Sequence, residues 1–419
     1  MENNTKKLSF KHYLIIGSML FGMFFGAGNL IFPIHLGQLA SAHWMSAGIG
    51  FLLTGTLLPL LAIIAIAVTH SNGIYDLAKP IGSRYATFFM VLVCATLGPL
   101  FATPRTATTP FQIAFASHLN PTQQPMWLLI YSLIFFGITF WASRKPTGII
   151  NSIGKILNPE GYNTMDCIAG LLFGIAIVTA IKSLGATSAK EISMTTMKSG
   201  ALGIGLEAII YIALIWLGAT SLGSFKLSID GGIAFNQIAN HFMGITGEIL
   251  LAMMATLTCL TTAVGLSTSF SEALHAKFPS ISYRTWLIIA TGMSFGIANF
   301  GLDTIIAWST PMLMFLYPLA ITLIILSIAS PLFNHDRRVY IWTTIFTIIP
   351  AILDAIAAAP AIISKSAFAS TILKLDDFLP GASLGMDWLL PAAIGLIIGL
   401  AIHYIGAMMG AKTTQIEND

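Results

Sequence analysis

The segment with the clearest chemical potential lies near the amino terminus, between Gly22 and Pro33. It contains Phe25-Gly26-Ala27-Gly28-Asn29, followed shortly by the proline. Glycine tolerates unwound backbone and proline has no amide hydrogen to donate, so this composition predicts a break in a helix. A broken helix exposes carbonyl oxygens for a cation and amide groups for a carboxylate, and Asn29 adds a side-chain oxygen. The alternative is close helix packing through small residues.

A carboxylate marks the start of another apolar run, in Thr164-Met165-Asp166. An acid so close to an apolar run is costly and indicates function by default. Because Asp166 lies near the end of the run, it could instead cap a helix at the membrane interface. Two further acids, Glu207 and Asp354, lie inside apolar runs without a partner that the sequence reveals. Arg105 lies at an expected helix end, where it could form an external gate or extend its side chain toward water.

Three threonines in a third apolar run share one helix face. Thr258, Thr261 and Thr262 are spaced i, i+3 and i+4, so their oxygens could converge on a hard cation. Threonine hydroxyls in membrane helices also bond to their own backbone, and the two interpretations remain open at this point.

The sequence offers little to an enzyme. It contains no HExxH and no G-x-S-x-G pattern. The three cysteines all lie within or beside apolar runs, where thiols are packing residues, so we expect neither a disulfide nor a metal site.

The composition determines which elements must position these groups. Of the 419 residues, 56% are hydrophobic and only 9% are charged, well below the roughly 25% charged residues of a soluble domain. The apolar runs are continuous and about 20 residues long, which predicts an all-α polytopic membrane protein rather than a β-barrel. We expect the lipid bilayer as its surroundings and no nucleic-acid partner. We expect a single integral membrane domain over 1–419 with eleven spans: 13–36, 44–69, 85–104, 126–142, 162–181, 200–221, 245–269, 285–305, 308–329, 339–359 and 387–408.

The loop charges agree with these spans, except at one point. Lys and Arg concentrate in alternate loops, beginning with Lys6, Lys7 and Lys11, which predicts a cytoplasmic amino terminus. The span at 162–181, however, has basic loops before and after it. One crossing cannot begin and end on the same side, and the segment 146–161 is too short in apolar residues to cross as a helix. The sequence therefore predicts that one span is absent.

Several motifs together resemble the branched-chain amino acid:cation symporters, a bacterial family of the amino acid–polyamine–cation superfamily. The matching stretches are FGAGNLIFP at 25–33, GPLFATPRTAT at 98–108, GYNTMD at 161–166, CLTTAVGL at 259–266, SYRTW at 282–286 and ILDAI at 352–356. The resemblance implies a LeuT-like bundle, a five-plus-five inverted repeat with two added helices. It also implies a bacterial inner-membrane protein that imports Leu, Ile or Val with Na⁺ or H⁺ and has no bound cofactor.

The resemblance also implies roles for individual residues. Gly26, Ala27, Gly28 and Asn29 would face the substrate carboxylate, and Thr164, Met165 and Asp166 its amino group. A sodium ion would take backbone oxygens of Gly22 and Phe25, the hydroxyls of Thr261 and Thr262, and the carbonyl of Thr258.

The chain departs from the family pattern in one place. Family members have a fifth span between the segments that match 151–159 and 161–166, and here these segments are fused. This agrees with the missing crossing that the charges indicate. The expected site residues all remain, which leaves two hypotheses: an active carrier, or a family member inactivated by the loss of one helix. An intramembrane enzyme is a remote third.

Overall fold

The computed structural model describes residues 9–24, 27–144, 163–186, 188–228, 231–374, 379–380 and 386–408. These residues contain helices and no strand. The α-helices are α1 (Phe10–Phe24), α2 (Ala27–Ala40), α3 (Trp44–Leu52), α4 (Leu58–Thr69), α5 (Ile74–Ala78), α6 (Ser83–Ala95), α7 (Ala102–Ala114), α8 (Gln124–Ser143), α9 (Asn163–Ser183), α10 (Ala189–Ser221), α11 (Gly231–Lys277), α12 (Tyr283–Ala298), α13 (Leu302–Ala329), α14 (Arg337–Ala357), α15 (Ala361–Ser364), α16 (Ala367–Ile372) and α17 (Leu389–Met408).

Nine helical runs in the described residues are long and apolar enough to cross a membrane, where the sequence predicted eleven spans. Two of the expected spans correspond to shorter helices. The first is divided between α1, which ends at Phe24, and α2, which begins at Ala27; the other is α12, of 16 residues. The continuous run Ile31–Thr69 is a hairpin, because α3 packs back against α2 after a 3₁₀ turn at Ser41–His43. The number of crossings therefore stays a prediction.

Two elements bend where glycine permits it. A π-helical turn at Thr96–Leu100 contains Gly98 in a non-helical conformation, and the helix restarts at Ala102 as α7. Within α11, Gly244 has φ 59° and ψ −152°, a region that side chains disfavour. The chain reverses there, because Gly247 packs against the Ala239 carbonyl and the Asn240 amide bonds to Glu248. The long arm of α11 thus begins at 245, as the sequence predicted for that span.

The chain forms two compact units: residues 1–63 with 94–305, and residues 64–93 with 306–419. In the first unit α1 and α2 run parallel to α10. Lys198 lies over the Tyr13 ring at 5.5 Å, and the Gln38 amide donates to the Ser221 hydroxyl at 3.1 Å. Helix α9 runs the opposite way beside α1, with Phe173 against Phe24.

The remaining helices of the first unit fix which ends lie together. Helix α12 is antiparallel to α8: the Tyr283 hydroxyl donates to the Ser143 carbonyl at 2.7 Å, and Asn299 bonds to Ser132 at 3.2 Å. At the other end, Phe225 stacks edge-on against His241. His118 lies 3.6 Å from Glu248 at the same reversal. The starts of α1 and α10 and the ends of α8 and α9 therefore share one end of this unit, which we call its amino-terminal end.

The second unit is organised around α14 and α17, which pack as an antiparallel pair. Glycines of α17 allow the close approach: Gly395 lies against the Trp342 carbonyl and Gly399 against Val339. Asp336, fully buried at the start of α14, bonds to His403 of α17.

Candidate functional site

Four helices of the first unit bring polar side chains together in its interior. Asn29 comes from the first turn of α2, Asp166 from the first turn of α9, Glu207 and Tyr211 from α10, and Arg105 from the first turn of α7. All five are at most 6% exposed. Charged and polar groups at such depth are costly unless they interact with one another, so the cluster is the leading candidate site.

A directional chain of hydrogen bonds runs through this cluster. The Asn29 amide nitrogen donates to the Phe24 carbonyl at 3.1 Å and to the Tyr211 hydroxyl. The Tyr211 hydroxyl in turn donates to the Glu207 carboxylate at 2.6 Å. The first contact also satisfies a carbonyl at the carboxyl end of α1, where the helix leaves carbonyls unpaired.

The two carboxylates of the cluster interact as like charges, and Arg105 is the opposite charge that acts on Asp166. The Arg105 guanidinium lies 3.8 Å from the Met165 sulfur and 5.6 Å from the centre of the Phe32 ring. Two acids and one arginine leave the cluster one positive charge short when both acids are ionised.

Arg105 lies deeper than the sequence suggested. The expected span ended at 104, which would put the arginine at an outer helix end. The structure instead turns at Gly98 and begins a new helix at Ala102, so Arg105 stands in the first turn of α7 and is 6% exposed. A proline–glycine pair in the sequence, Gly98-Pro99, was the available signal for this turn.

Of the residues predicted to bind substrate, the structure brings Asn29, Met165 and Asp166 together at the buried polar cluster beside Arg105. Ala27 and Gly28 begin α2 and Thr164 lies in the first turn of α9. Their side chains, and Gly26 altogether, lie outside the described residues.

The residues predicted for the cation are spread over two helices. Gly22 is half-buried in α1, which packs on α9 and α10, and Phe25 lies outside the described residues. On α11, Thr258 donates to the Ala255 carbonyl at 3.0 Å and Thr261 to the Thr258 carbonyl at 2.7 Å; Thr262 is half-buried beside them. These two hydroxyl bonds are the local bonding that the sequence left open as the alternative, and the sodium site stays a prediction.

The sequence did not reveal the role of Glu207 or the importance of Tyr211. Both face Asn29 because they are four residues apart on α10, and that i, i+4 spacing was the only local signal. The bond between Asn29 and Tyr211 joins residues 182 positions apart, and no sequence pattern encodes it. Asp354, the other buried-acid candidate, is half-buried on α14 in the second unit.

The family model described as "Branched-chain amino acid transport protein" matches this chain over residues 9–160 and 159–405. The chain belongs to this family. Family members and their curated relatives are transporters and permeases, so the chain is a multi-pass membrane protein of a transporter family, not an enzyme.

Individual relatives are similar along nearly the whole length. The branched-chain amino acid permease BrnQ of Lactobacillus delbrueckii is 38% identical over 431 positions, which cover 93% of this chain and 96% of the relative. The permease BraB of Bacillus subtilis is 38% identical over 436 positions, covering 94% and 96%. The transport system 2 carrier protein of Pseudomonas aeruginosa is 34% identical over 431 positions, covering 92% and 95%.

The family match is divided at one point. Its two parts meet at residues 159 and 160, within the segment where the sequence predicts a fusion. The alignment to the Lactobacillus permease has 431 positions. This chain contributes 93% of its 419 residues to the alignment, or about 390, so the gaps in this chain total about 40 positions. That length equals one helix of about 20 residues with its loops.

Proposed function

We propose that the protein imports the branched-chain amino acids Leu, Ile and Val across the bacterial inner membrane, together with a cation. The observation that carries the proposal is the family membership over nearly the whole chain, with relatives named as branched-chain amino acid permeases. The buried cluster of the first unit supplies chemistry that suits such a substrate.

The substrate's two charged groups have complementary partners. Asp166 is a buried carboxylate with one oxygen that has no hydrogen-bond partner among the described residues, which suits the α-ammonium group. The start of α2, at Ala27 and Gly28, offers amide groups and the positive end of a helix dipole, which suit the α-carboxylate. Buried apolar side chains on the same helices as Asn29 and Arg105, among them Ile31 of α2 and Ala107 of α7, suit an aliphatic substrate.

The coupling cation is proposed to be Na⁺, with H⁺ as the alternative. Oxygen atoms of Gly22, Phe25, Thr258, Thr261 and Thr262 are its proposed ligands, by resemblance to the wider superfamily, and hard oxygen ligands suit a hard cation. Transport would proceed by alternating exposure of this site to the two sides of the membrane.

The proposed orientation has the amino terminus in the cytoplasm. Lys11, Arg144, Lys182, Lys198 and Lys277 lie on segments at or near the amino-terminal end of the first unit, and Lys226 lies beyond the opposite end of α10. Basic residues are retained on the cytoplasmic side, which supports this direction.

Uptake of labelled isoleucine tests the proposal. Cells that lack other carriers and express this chain should accumulate isoleucine, and collapse of the sodium gradient should abolish accumulation if Na⁺ is the coupling ion. Collapse of the proton gradient is the matched arm for H⁺. Accumulation that is indifferent to both gradients would exclude cation symport.

A second candidate function is that of a binding-competent but transport-inactive family member. The divided family match at residues 159 and 160 favours it, together with alignment gaps that total about 40 positions, enough for one crossing with its loops. Insertion of the corresponding segment of the Bacillus permease between Pro159 and Glu160 distinguishes the two candidates. Uptake gained only after insertion supports the inactive form, whereas equal uptake with and without the segment contradicts it.

A further inference from the structure

We infer that Glu207 and Tyr211 are positioning residues, which hold the side-chain amide of Asn29 in one orientation and leave its oxygen to receive a positively charged group of the ligand. The inference rests on the proposed function and narrows the role of Asn29. The resemblance grouped Asn29 with the backbone that faces the substrate carboxylate, whereas the hydrogen bonds assign it to the opposite charge.

The orientation of the amide follows from its first partner. The Phe24 carbonyl can only accept a hydrogen bond, and it lies 3.1 Å from the nitrogen of Asn29. A flipped amide would bring two oxygens together at that distance, so the nitrogen must be the atom that faces Phe24. The same nitrogen donates to Tyr211 and also faces the carboxylates of Asp166 and Glu207, which hydrogen-bond to the Asn29 side chain. All of these partners are acceptors, so they hold the nitrogen on their side of the amide.

Tyr211 can accept that bond because its own proton is already engaged. Its hydroxyl donates to Glu207 at 2.6 Å, which turns the oxygen lone pairs toward Asn29. The ring is fully buried and packs edge-on against Phe51, with ring centres 4.9 Å apart. The hydroxyl position is thus set by packing as well as by the carboxylate.

The backbone of α10 is held against α2 by close contact. Gly218 lies against the backbone of Ile34, and Gly37 against the carbonyl of Ile215, so that a Cβ at either glycine would overlap backbone atoms. Helices that approach this closely through small residues cannot slide without losing contact. The pair Glu207 and Tyr211 is therefore fixed relative to Asn29 by main-chain packing.

The side-chain oxygen of Asn29 is an acceptor without a hydrogen-bond partner among the described residues. The Asn29 oxygen and one Asp166 oxygen are both buried and have no hydrogen-bond partner in the described part of the chain. An unpaired buried acceptor is costly, and a ligand that donates to it or neutralises it removes the cost. Two such acceptors, in a cluster with one arginine and two acids, select a positive group: the substrate's ammonium or the coupling cation.

Binding of isoleucine to the purified full-length protein tests the positioning role. Tyr211→Phe keeps the ring and removes the hydroxyl, and we expect affinity to fall about 10-fold, the effect of one lost hydrogen bond with its partner left buried. The double variant with Asn29→Ala should bind no more weakly than Asn29→Ala alone. Independent losses that multiply would overturn the inference. The matched control is Tyr340→Phe, which removes a fully buried hydroxyl from the second unit and should leave affinity unchanged.

Glu207 is tested with a conservative and a disruptive variant. Glu207→Gln keeps an oxygen that accepts from Tyr211, so affinity should stay within about 3-fold of the wild type. Glu207→Leu removes the acceptor and should match Tyr211→Phe. Equal loss in both variants would mean that the charge itself is required, and would overturn the positioning role.

The orientation of the amide is tested by Asn29→Asp. This variant keeps an oxygen and adds negative charge, but it replaces the donor with an acceptor that faces the Phe24 carbonyl. We expect a loss of at least 10-fold. Affinity equal to or tighter than that of the wild type would contradict an amide oriented by its nitrogen.

Two titrations distinguish the sources of the positive group. If the ammonium is bound, the 2-hydroxy analogue of isoleucine should lose affinity in the wild type, and Asn29→Ala should remove that preference. If the cation is bound, Asn29→Ala should instead raise the Na⁺ concentration needed for isoleucine binding. A preference and a Na⁺ requirement both unchanged by Asn29→Ala would overturn the inference.

Ligand-free melting temperatures separate this inference from the proposed function. A wild type that binds no isoleucine would refute the proposed function. The coupling between Asn29 and Tyr211 would still be measured, since their single and double variants should lower the melting temperature non-additively. Additive shifts would contradict the hydrogen-bond chain, whatever the protein transports.

Discussion

Asp166 occupies the first turn of α9, where the positive end of the helix dipole stabilises a carboxylate. The sequence left open whether this acid caps a helix or serves a site. In the structure Asp166 is 1% exposed and interacts with Glu207 and Arg105 in the interior, and its role in a site stays a prediction. A cap at the membrane interface would instead reach water.

Replacement of Asp166 by Asn should separate charge from shape. Asp166→Asn keeps the size of the side chain but removes the charge that we propose for the ammonium group, so isoleucine affinity should fall 10- to 100-fold or so. Equilibrium binding to the purified protein measures the change. Asp303→Asn, at an exposed position in the first turn of α13, is the control; an equal loss there, or no loss at Asp166, would contradict the assignment.

Individual site residues were predictable only where the sequence carried a local signal. Asn29 was found because glycines and a proline surround it, and Asp166 because an acid beside an apolar run is unusual. Tyr211 was missed, since a tyrosine in an apolar helix has no distinctive pattern. Its role depends on the parallel packing of α2 and α10, which brings distant parts of the chain together.

Glycines decide how the elements of the first unit pack. Gly218 of α10 meets the Ile34 backbone, whereas Gly205 on the same helix has open space around its Cβ position. The sequence does not separate these two glycines, because each lies in an apolar helix. Only the crossing of α2 and α10 distinguishes them.

Gly218→Ala should therefore destabilise the protein, and Gly205→Ala should not. Alanine favours helix over glycine by up to about 1 kcal/mol, which should appear at Gly205 as an unchanged or slightly raised melting temperature. At Gly218 overlap with backbone should outweigh that gain and lower the melting temperature by several degrees. Equal shifts in the two variants would show that the α2–α10 contact is not tight.

The pair α14 and α17 is held at one end by Asp336. Its carboxylate accepts from the Arg338 amide at 2.9 Å, from the Arg338 side chain at 3.2 Å and from His403 at 2.8 Å. Burial alone would raise the pKa of Asp336, but these hydrogen bonds, led by that of His403, lower the pKa below its ordinary value. The sequence contained both residues without any indication that they meet.

The lowered pKa of Asp336 predicts a pH dependence. A carboxyl whose pKa is lower in the folded state contributes stability above its unfolded pKa, near 3.9, and loses it as the pH falls through the folded value. The wild type should therefore lose melting temperature below about pH 4 more steeply than Asp336→Asn, which should already be less stable at pH 7. Parallel curves for the two proteins would contradict the role of Asp336.

At the scale of a whole unit, the directions of the helices in the first unit agree with the pattern of charge. The contact of Ser143 with Tyr283 places the end of α8 at the amino-terminal end of the first unit, and α9 also ends there, before α10. Two consecutive helices that finish at the same end require an odd number of crossings between the end of the first and the start of the second, if the second helix spans the membrane. The sequence predicted this conflict from loop charges alone. It could not predict that α9 begins near Arg105, in the interior, rather than at a surface.

The start of α9 lies in the interior of the first unit, whereas α8 ends at the amino-terminal end of that unit. Gly98 packs against Phe270, shortly before the turn into α12, and Arg105 contacts Met165. Arg105 follows Gly98 by seven residues, across the non-helical Gly98 and into α7, so it lies further than Gly98 from the amino-terminal end of the first unit.

Cysteine accessibility tests this arrangement in the membrane. In a background where Cys94, Cys167 and Cys259 are replaced, single cysteines at Ser188, Ser280 and Ser224 occupy exposed positions at the ends of helices in the first unit. Ser188 precedes α10 and Ser280 precedes α12, so both should react with an impermeant reagent only from the cytoplasm. Ser224 follows α10 and should react only from outside. If Ser188 and Ser280 react from opposite sides, α10 and α11 do not both cross the membrane, and the shared amino-terminal end of these helices is wrong.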